Sequence, residues 1–196
     1  DFFTLKGAVE ELLLKLGIRD LEFIPEKEYG TYHPGRCARI ATKEMHCGPE
    51  GPEEELVELG IMGEVHPDVA EKYGIGTRCY AAELMMGVVT EMANLEKEYS
   101  PLPKYPATSR DIALAVDESM AVGDIEKVIA SAGGKILKNI KLFDVYRGPQ
   151  VGENKKSVAF ALTYRHDDRT LTDEEVNQLH GEILNALKEK LDVTLR

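Results

Sequence analysis

The chain has 196 residues, 43% of them apolar and 30% charged, enough for one large domain or two ordinary ones with self-sufficient cores. A net charge of −11 argues against a surface that attracts phosphate everywhere, and no apolar run approaches the roughly 20 residues that span a bilayer. Three cysteines without paired spacing fit a reducing compartment better than a disulfide framework. Because the chain starts at Asp1, directly in a helical pattern and without a leader, it is expected to be a soluble, cytoplasmic piece of a longer protein.

The first half opens with a predicted helix over residues 4–16, where Leu5, Val9, Leu12, Leu13 and Leu16 recur at helical spacing and Gly17 supplies a stop. A strand is expected at 21–24. His33-Pro34-Gly35-Arg36 reads as a tight turn into a strand at 37–42, which gives Arg36 a structural role rather than an ATP-binding one. Residues 43–55, with Gly and Pro breaks and five Glu, are expected to form an exposed acidic loop. A short strand at 60–65, a helix at 67–73 and a strand starting near Cys79 complete an antiparallel sheet flanked by helices.

Pro101, Pro103 and Pro106 forbid helix and remove sheet donors, so the domain border is placed there, giving domains at 1–99 and 100–196. The charge divides at the same point. Residues 1–100 hold 10 Lys and Arg against 20 Asp and Glu, whereas 101–196 hold 14 against 15. Within 135–156, six cations (Lys135, Lys138, Lys141, Arg147, Lys155 and Lys156) face only Asp144 and Glu153, so one side of the second domain is able to meet phosphate.

The second half predicts strands at 111–117, 140–146, 157–164 and 193–195. One helix is expected at 124–132, stopped by Gly133-Gly134, and a second opens with the capping box Thr172 to Glu175. The order βαββαβ is ferredoxin-like. Alternation assigns the faces: Ile112, Leu114, Val116, Phe143, Val145, Val158, Phe160, Leu162 and Tyr164 toward the helices. The other face is left with Ala113, Ala115, Asp144, Tyr146, Ser157, Ala159, Ala161 and Thr163. Small side chains admit a planar ring, a Tyr offers a stacking platform, and a carboxylate accepts from the amino and imino groups of guanine. The same pattern also suits close packing on another domain.

The runs Tyr105-Pro106-Ala107-Thr108-Ser109-Arg110-Asp111, Ala132-Gly133-Gly134-Lys135, Leu142-Phe143-Asp144-Val145-Tyr146-Arg147-Gly148, Gly152-Glu153-Asn154-Lys155-Lys156-Ser157 and Arg169-Thr170-Leu171-Thr172-Asp173-Glu174-Glu175 occur in one order. Together they resemble the ferredoxin-fold anticodon-binding domain that ends the bacterial phenylalanyl-tRNA synthetase beta subunit. Upstream, Asp1-Phe2-Phe3-Thr4-Leu5-Lys6-Gly7, His33-Pro34-Gly35-Arg36 and Gly63-Glu64-Val65-His66-Pro67 resemble that subunit's synthetase-like module. The resemblance implies an α+β fold: the C-terminal part of a non-catalytic class II synthetase-like antiparallel module at 1–99, then a ferredoxin-like βαββαβ sandwich.

It further implies that Tyr146 stacks on an anticodon base, that Asp144 and Ser157 bond base edges, and that Ala113 leaves room for a base. The charge pattern adds Arg110, Arg147, Lys155 and Lys156 as expected phosphate contacts. By resemblance the chain is inactive alone. Its parent is an ATP- and magnesium-dependent phenylalanine-tRNA ligase, a heterotetramer of two alpha and two beta subunits in which the alpha subunit is catalytic and the beta subunit holds the anticodon stem-loop of tRNA(Phe). Two departures stand out: the 43–55 segment is longer than usual, and Ala81-Ala82-Glu83-Leu84-Met85-Met86-Gly87 replaces a Phe-Glu-Leu-Asp type of run.

Other signals carry less. His33, Cys37, His46 and Cys47 have irregular spacing and are not expected to bind metal. His166-Asp167-Asp168 reads as a solvated loop, and no nucleophile with a partnered base is evident. Two rival readings of the second domain are an amino-acid-sensing ferredoxin-like module and an interface domain that touches no RNA.

Overall fold

The computed structural model describes residues 1–48, 51–96, 99, 101–191 and 193–195, with the side chains of 45–48, 51–53 and 195 left out. The chain divides into two compact units, Asp1–Tyr99 and Ser100–Arg196.

In the first unit, α1 (Phe2–Lys15) starts where the Asp1 carboxylate accepts from the Thr4 amide at 2.8 Å, a side-chain N-cap. It buries Val9 and Leu13, while Leu12, expected on the inward stripe, is 47% exposed. Four strands, β1 (Leu21–Pro25), β2 (Tyr32–Gly48), β3 (Gly51–Val65) and β4 (Tyr80–Leu84), form an antiparallel sheet in that order. The short helices α2 (Pro67–Lys72) and α3 (Met86–Met92) follow β3 and β4. Val9, Leu13, Ile18, Ile40, Leu59, Met62 and Val89 make the core. At Gly60, φ is 154° and a Cβ would overlap the Glu83 carbonyl oxygen, so only glycine lets β4 approach β3 there.

Two expectations are corrected. Residues 43–48 and 51–55 are not a loop: β2 and β3 continue as a ribbon paired in register to Gly48 and Gly51, while Pro49 and Glu50 lie outside the described residues. A two-stranded ribbon in solvent needs no apolar face, so its glutamates were misleading. Lys43 bridges to Glu54 at 2.9 Å and to Glu22 at 3.6 Å. The second correction is α3, which the sequence reading missed because it is only seven residues long and has no side-chain cap.

In the second unit, β5 (Thr108–Asp117), α4 (Val122–Gly133), a 3-10 turn (Gly134–Ile136), β6 (Leu137–Tyr146), β7 (Lys155–Tyr164), α5 (Asp173–Leu191) and β8 (Thr194–Leu195) follow in chain order. The sheet order is β6-β7-β5-β8, antiparallel throughout, the ferredoxin-like arrangement. Ile112, Leu114 and Val116 pack with Val158, Phe160, Leu162 and Tyr164 against Ile125 and Ile129 of α4 and Val176, Ile183 and Leu187 of α5. Gly134, at φ 54°, closes α4. The capping box forms as expected: the Thr172 amide donates to Glu175 at 2.9 Å and the Glu175 amide to the Thr172 hydroxyl at 3.3 Å. Arg169 above all, with the Thr172 amide, holds the Glu175 carboxyl down at about 2.

One polar bond crosses the edge of this core. The Tyr164 hydroxyl, pushed up to about 12 by burial, stands 2.9 Å from His180 Nδ1 and shares a hydrogen bond with it whose direction follows the imidazole tautomer. Burial, aided by the Arg110 charge, lowers the His180 pKa from its ordinary 6.5. The unfolded chain therefore takes up this proton first as pH falls, so His180 adds stability above about 6.5 that is lost below it, down to the depressed folded value. Urea midpoints followed through NMR signals of residues 100–196 in the intact chain should fall between pH 7 and 5, and His180→Gln should flatten that slope. An unchanged slope in the variant would assign the effect to other groups.

Candidate nucleic-acid interface

The pleat that sends Ile112, Leu114 and Val116 toward the helices leaves Ala113 and Ala115 on the opposite side. Cross-strand register then builds two adjacent rows. Ala113 pairs with Ala159, which pairs with Asp144; Ala115 pairs with Ser157, which pairs with Tyr146. Neighbours within a row lie about 4.8 Å apart and the rows are separated by roughly 6.7 Å. Ala113, Asp144, Tyr146 and Ser157 therefore share one surface, without a helix of their own unit over it. Asp144 is exposed and Ala113, Ala159, Ala161 and Thr163 are half-buried. Tyr146 is 39% exposed, and Ser157, between Tyr146 and Ala115, retains only 9%.

Phe143 departs from expectation. Simple alternation puts it in the core with Val145, yet it is 54% exposed. The ladder pairs Leu142 with Phe160 and then Asp144 with Ala159, so Phe143 is the extra residue of a β-bulge. Leu142 takes the core position in its place. The bulge resets the parity of β6: without it, Asp144 and Tyr146 would stand out of step with Ser157 and Ala159. It also adds an exposed aromatic beside Asp144, a feature visible only when β6 is counted against its partner strand.

The expected cations divide by the same rule. Lys155 is exposed, two residues from Ser157 along β7. Lys156 has the parity of Val158, is 7% exposed, and donates to the Glu118 carbonyl at 2.9 Å; burial lowers its pKa. Arg110 has the parity of Ile112 and donates to Asp173 of α5 at 3.0 Å and to Asn177 at 3.5 Å. Neither Lys156 nor Arg110 faces the two rows. Arg147, just past β6, pairs with Glu118 at 2.8 Å with both side chains largely in solvent. Lys138 pairs with Asp167 at 2.8 Å, while Lys135 and Lys141 are exposed. Glu118 thus engages two of the expected contacts, one through its carboxylate and one through its backbone.

In the first unit, Arg36 donates to both oxygens of Glu64 at 2.8 Å. Glu64 is 3% exposed and also accepts from the Tyr80 hydroxyl at 3.0 Å. Burial raises this carboxyl, but the bonds from Tyr80 and Arg36 outweigh it and the net shift is downward. Residues 33–36, expected as a turn before the strand, lie within β2 at a register shift between Tyr32 and Cys37, and this carboxylate tethers them to β3 and β4. His33 Nδ1 accepts from the Gly35 amide at 3.0 Å and Cys37 is buried in the sheet; the side chains of His46 and Cys47 lie outside those described. His166 accepts from the Asp168 amide at 3.1 Å, a local turn contact. Among the described residues no group of three or more His, Cys, Asp and Glu is arranged to hold a metal ion, and no helix is long and apolar enough to cross a membrane.

Comparison with known proteins completes the description. Residues 103–196 match the ferredoxin-fold anticodon binding domain, and residues 1–86 match the phenylalanyl tRNA synthetase beta chain CLM domain. Over the whole chain, identity is 44% to the phenylalanine--tRNA ligase beta subunit of Clostridium tetani and 39% to that of Bacillus subtilis. Over 96% of the chain, it is 39% to that of Symbiobacterium thermophilum. The chain belongs to the phenylalanine--tRNA ligase beta subunit family. It spans 20–23% of the length of these relatives. Relative to these beta subunits, the rows built from Ala113, Asp144, Tyr146 and Ser157 fall entirely within the segment that matches the anticodon binding domain.

Proposed function

We propose that the 100–196 unit is the anticodon-recognition surface of a phenylalanine-tRNA ligase beta subunit, and that residues 1–99 are a non-catalytic, synthetase-like module used in subunit packing. The observation that carries this reading is the pair of rows Ala113/Ala159/Asp144 and Ala115/Ser157/Tyr146. Tyr146 provides a ring for stacking, the Asp144 carboxylate accepts from a purine edge, and the alanines let a base approach the sheet. Ser157, nearly covered, offers its hydroxyl to a base edge already seated on Tyr146. Lys155 and Arg147 meet the backbone phosphates, Arg147 by exchanging its exposed pair with Glu118. In the parent, the alpha subunit joins phenylalanine to tRNA with ATP and magnesium, in a cytoplasmic assembly of two alpha and two beta chains.

Titrating the intact chain with the anticodon stem-loop of phenylalanine tRNA at two salt concentrations tests this reading against the interface and amino-acid-sensing alternatives. Tyr146→Ala should weaken binding by about 1–3 kcal/mol, and Asp144→Ala should weaken it while reducing discrimination among first anticodon bases. Wild-type affinity in both variants would remove the site from this face.

The division of the cations has its own signature. Lys155→Ala should reduce the slope of log affinity against log salt by about one unit, whereas Lys156→Met should leave the slope unchanged. Equal effects of the two would mean that Lys156 leaves its place against Glu118 when RNA binds.

A further inference from the structure

Gly148 follows Tyr146 by two residues and opens the turn Gly148-Pro149-Gln150-Val151, closed by the Val151 amide donating to the Gly148 carbonyl at 3.1 Å. Its φ is not positive, and the residue before a proline is held to extended conformations that alanine also adopts. Backbone freedom therefore does not require glycine here. Space does. A Cβ at 148 would overlap Tyr146 Oη and stand 2.6 Å from Cζ and 3.0 Å from Cε1; no other atom is among its three nearest neighbours.

We propose that Gly148 is the positioning residue for Tyr146: the bare Cα gives the phenol a seat over the turn and fixes the ring beside Ser157. This rests on the reading that Tyr146 stacks on a base, and deepens it. A tyrosine at the very end of an edge strand has free rotation at χ1 and χ2 unless something holds it. With its hydroxyl end against position 148 and its cross-strand partner Ser157 nearly covered, the ring is fixed before a base arrives, so less side-chain entropy is lost on stacking. A Cβ at 148 displaces the far end of a flexible side chain rather than backbone, so the ring moves and the fold persists.

Gly148→Ala in the intact chain should keep the amide spectrum of residues 100–196 except around 143–151, shift the Tyr146 ring signals, and remove the ring-to-148 proton contacts present in the wild type. Stem-loop affinity should drop three- to tenfold with the salt slope unchanged, and in a Tyr146→Ala background Gly148→Ala should add nothing. Full affinity in Gly148→Ala alongside weakened binding in Tyr146→Ala would overturn the positioning role while leaving the stacking role intact. Additive losses, or collapse of the amide dispersion across the unit, would overturn it as well. Unchanged binding in Tyr146→Ala would instead sink the underlying reading, and the ring contacts would then report a structural seat only.

Discussion

The open face of the second unit depends on one constraint, the two-residue period of a pleated strand whose other face is committed to helices. Once Val158, Phe160, Leu162 and Tyr164 are buried under α4 and α5, Ser157, Ala159, Ala161 and Thr163 have no choice of direction. The neighbouring strands must follow the same parity or leave a gap in the core. Strand β6, with another register shift at Lys138 nearer its start, does so by looping out Phe143. That one extra residue keeps Leu142 and Val145 on the core side and holds Asp144 and Tyr146 opposite Ala159 and Ser157. The recognition chemistry proposed for this surface is therefore a consequence of core packing on the reverse side.

The same period sorts charge. A cluster of six cations in 22 residues of sequence looks like a phosphate-binding rim, but folding sends Lys156 to the helix side and ties Lys138 and Arg147 to carboxylates. Arg110, from outside that cluster, is drawn to α5 by Asp173. The number of cations able to reach a ligand is smaller than the sequence count, and the attraction is local rather than spread over the unit. On the proposed reading a chain of net charge −11 gains from this arrangement, because a few well-placed cations would select one approach for RNA while the rest of the surface repels it.

How much was legible follows from where each signal is written. The βαββαβ order, the capping box at Thr172 and the membership of Ala113, Asp144, Tyr146 and Ser157 in one face are local patterns with regular periods, and the structure has them where the sequence placed them. Phe143 was misassigned because a bulge is a property of two strands, invisible in either alone. Arg110 and Lys156 differ in kind: they lie beside the motif in sequence, but parity puts them with Ile112 and Val158 rather than on the face of the rows. The ribbon of 43–48 and 51–55 reads as a loop in the sequence because exposed strands and loops share a polar composition. Helix α3 was missed because one short amphipathic turn carries too few periods to be recognised.

Magnitudes indicate how such a surface works. One stacked base contributes about 1–3 kcal/mol, and a millimolar dissociation constant already requires about 4 kcal/mol. On the proposed reading, stacking on Tyr146 with one or two edge contacts would thus approach measurable affinity without reaching tight binding. Strong attraction here would also be counterproductive, since tRNAs share their backbone and a phosphate-dominated grip would hold all of them. In the proposed larger assembly, contacts elsewhere would raise the effective concentration of the anticodon at this sheet. A small and weakly attractive face of the kind proposed would then contribute mainly the difference between a matching and a mismatched base, and specificity is that difference.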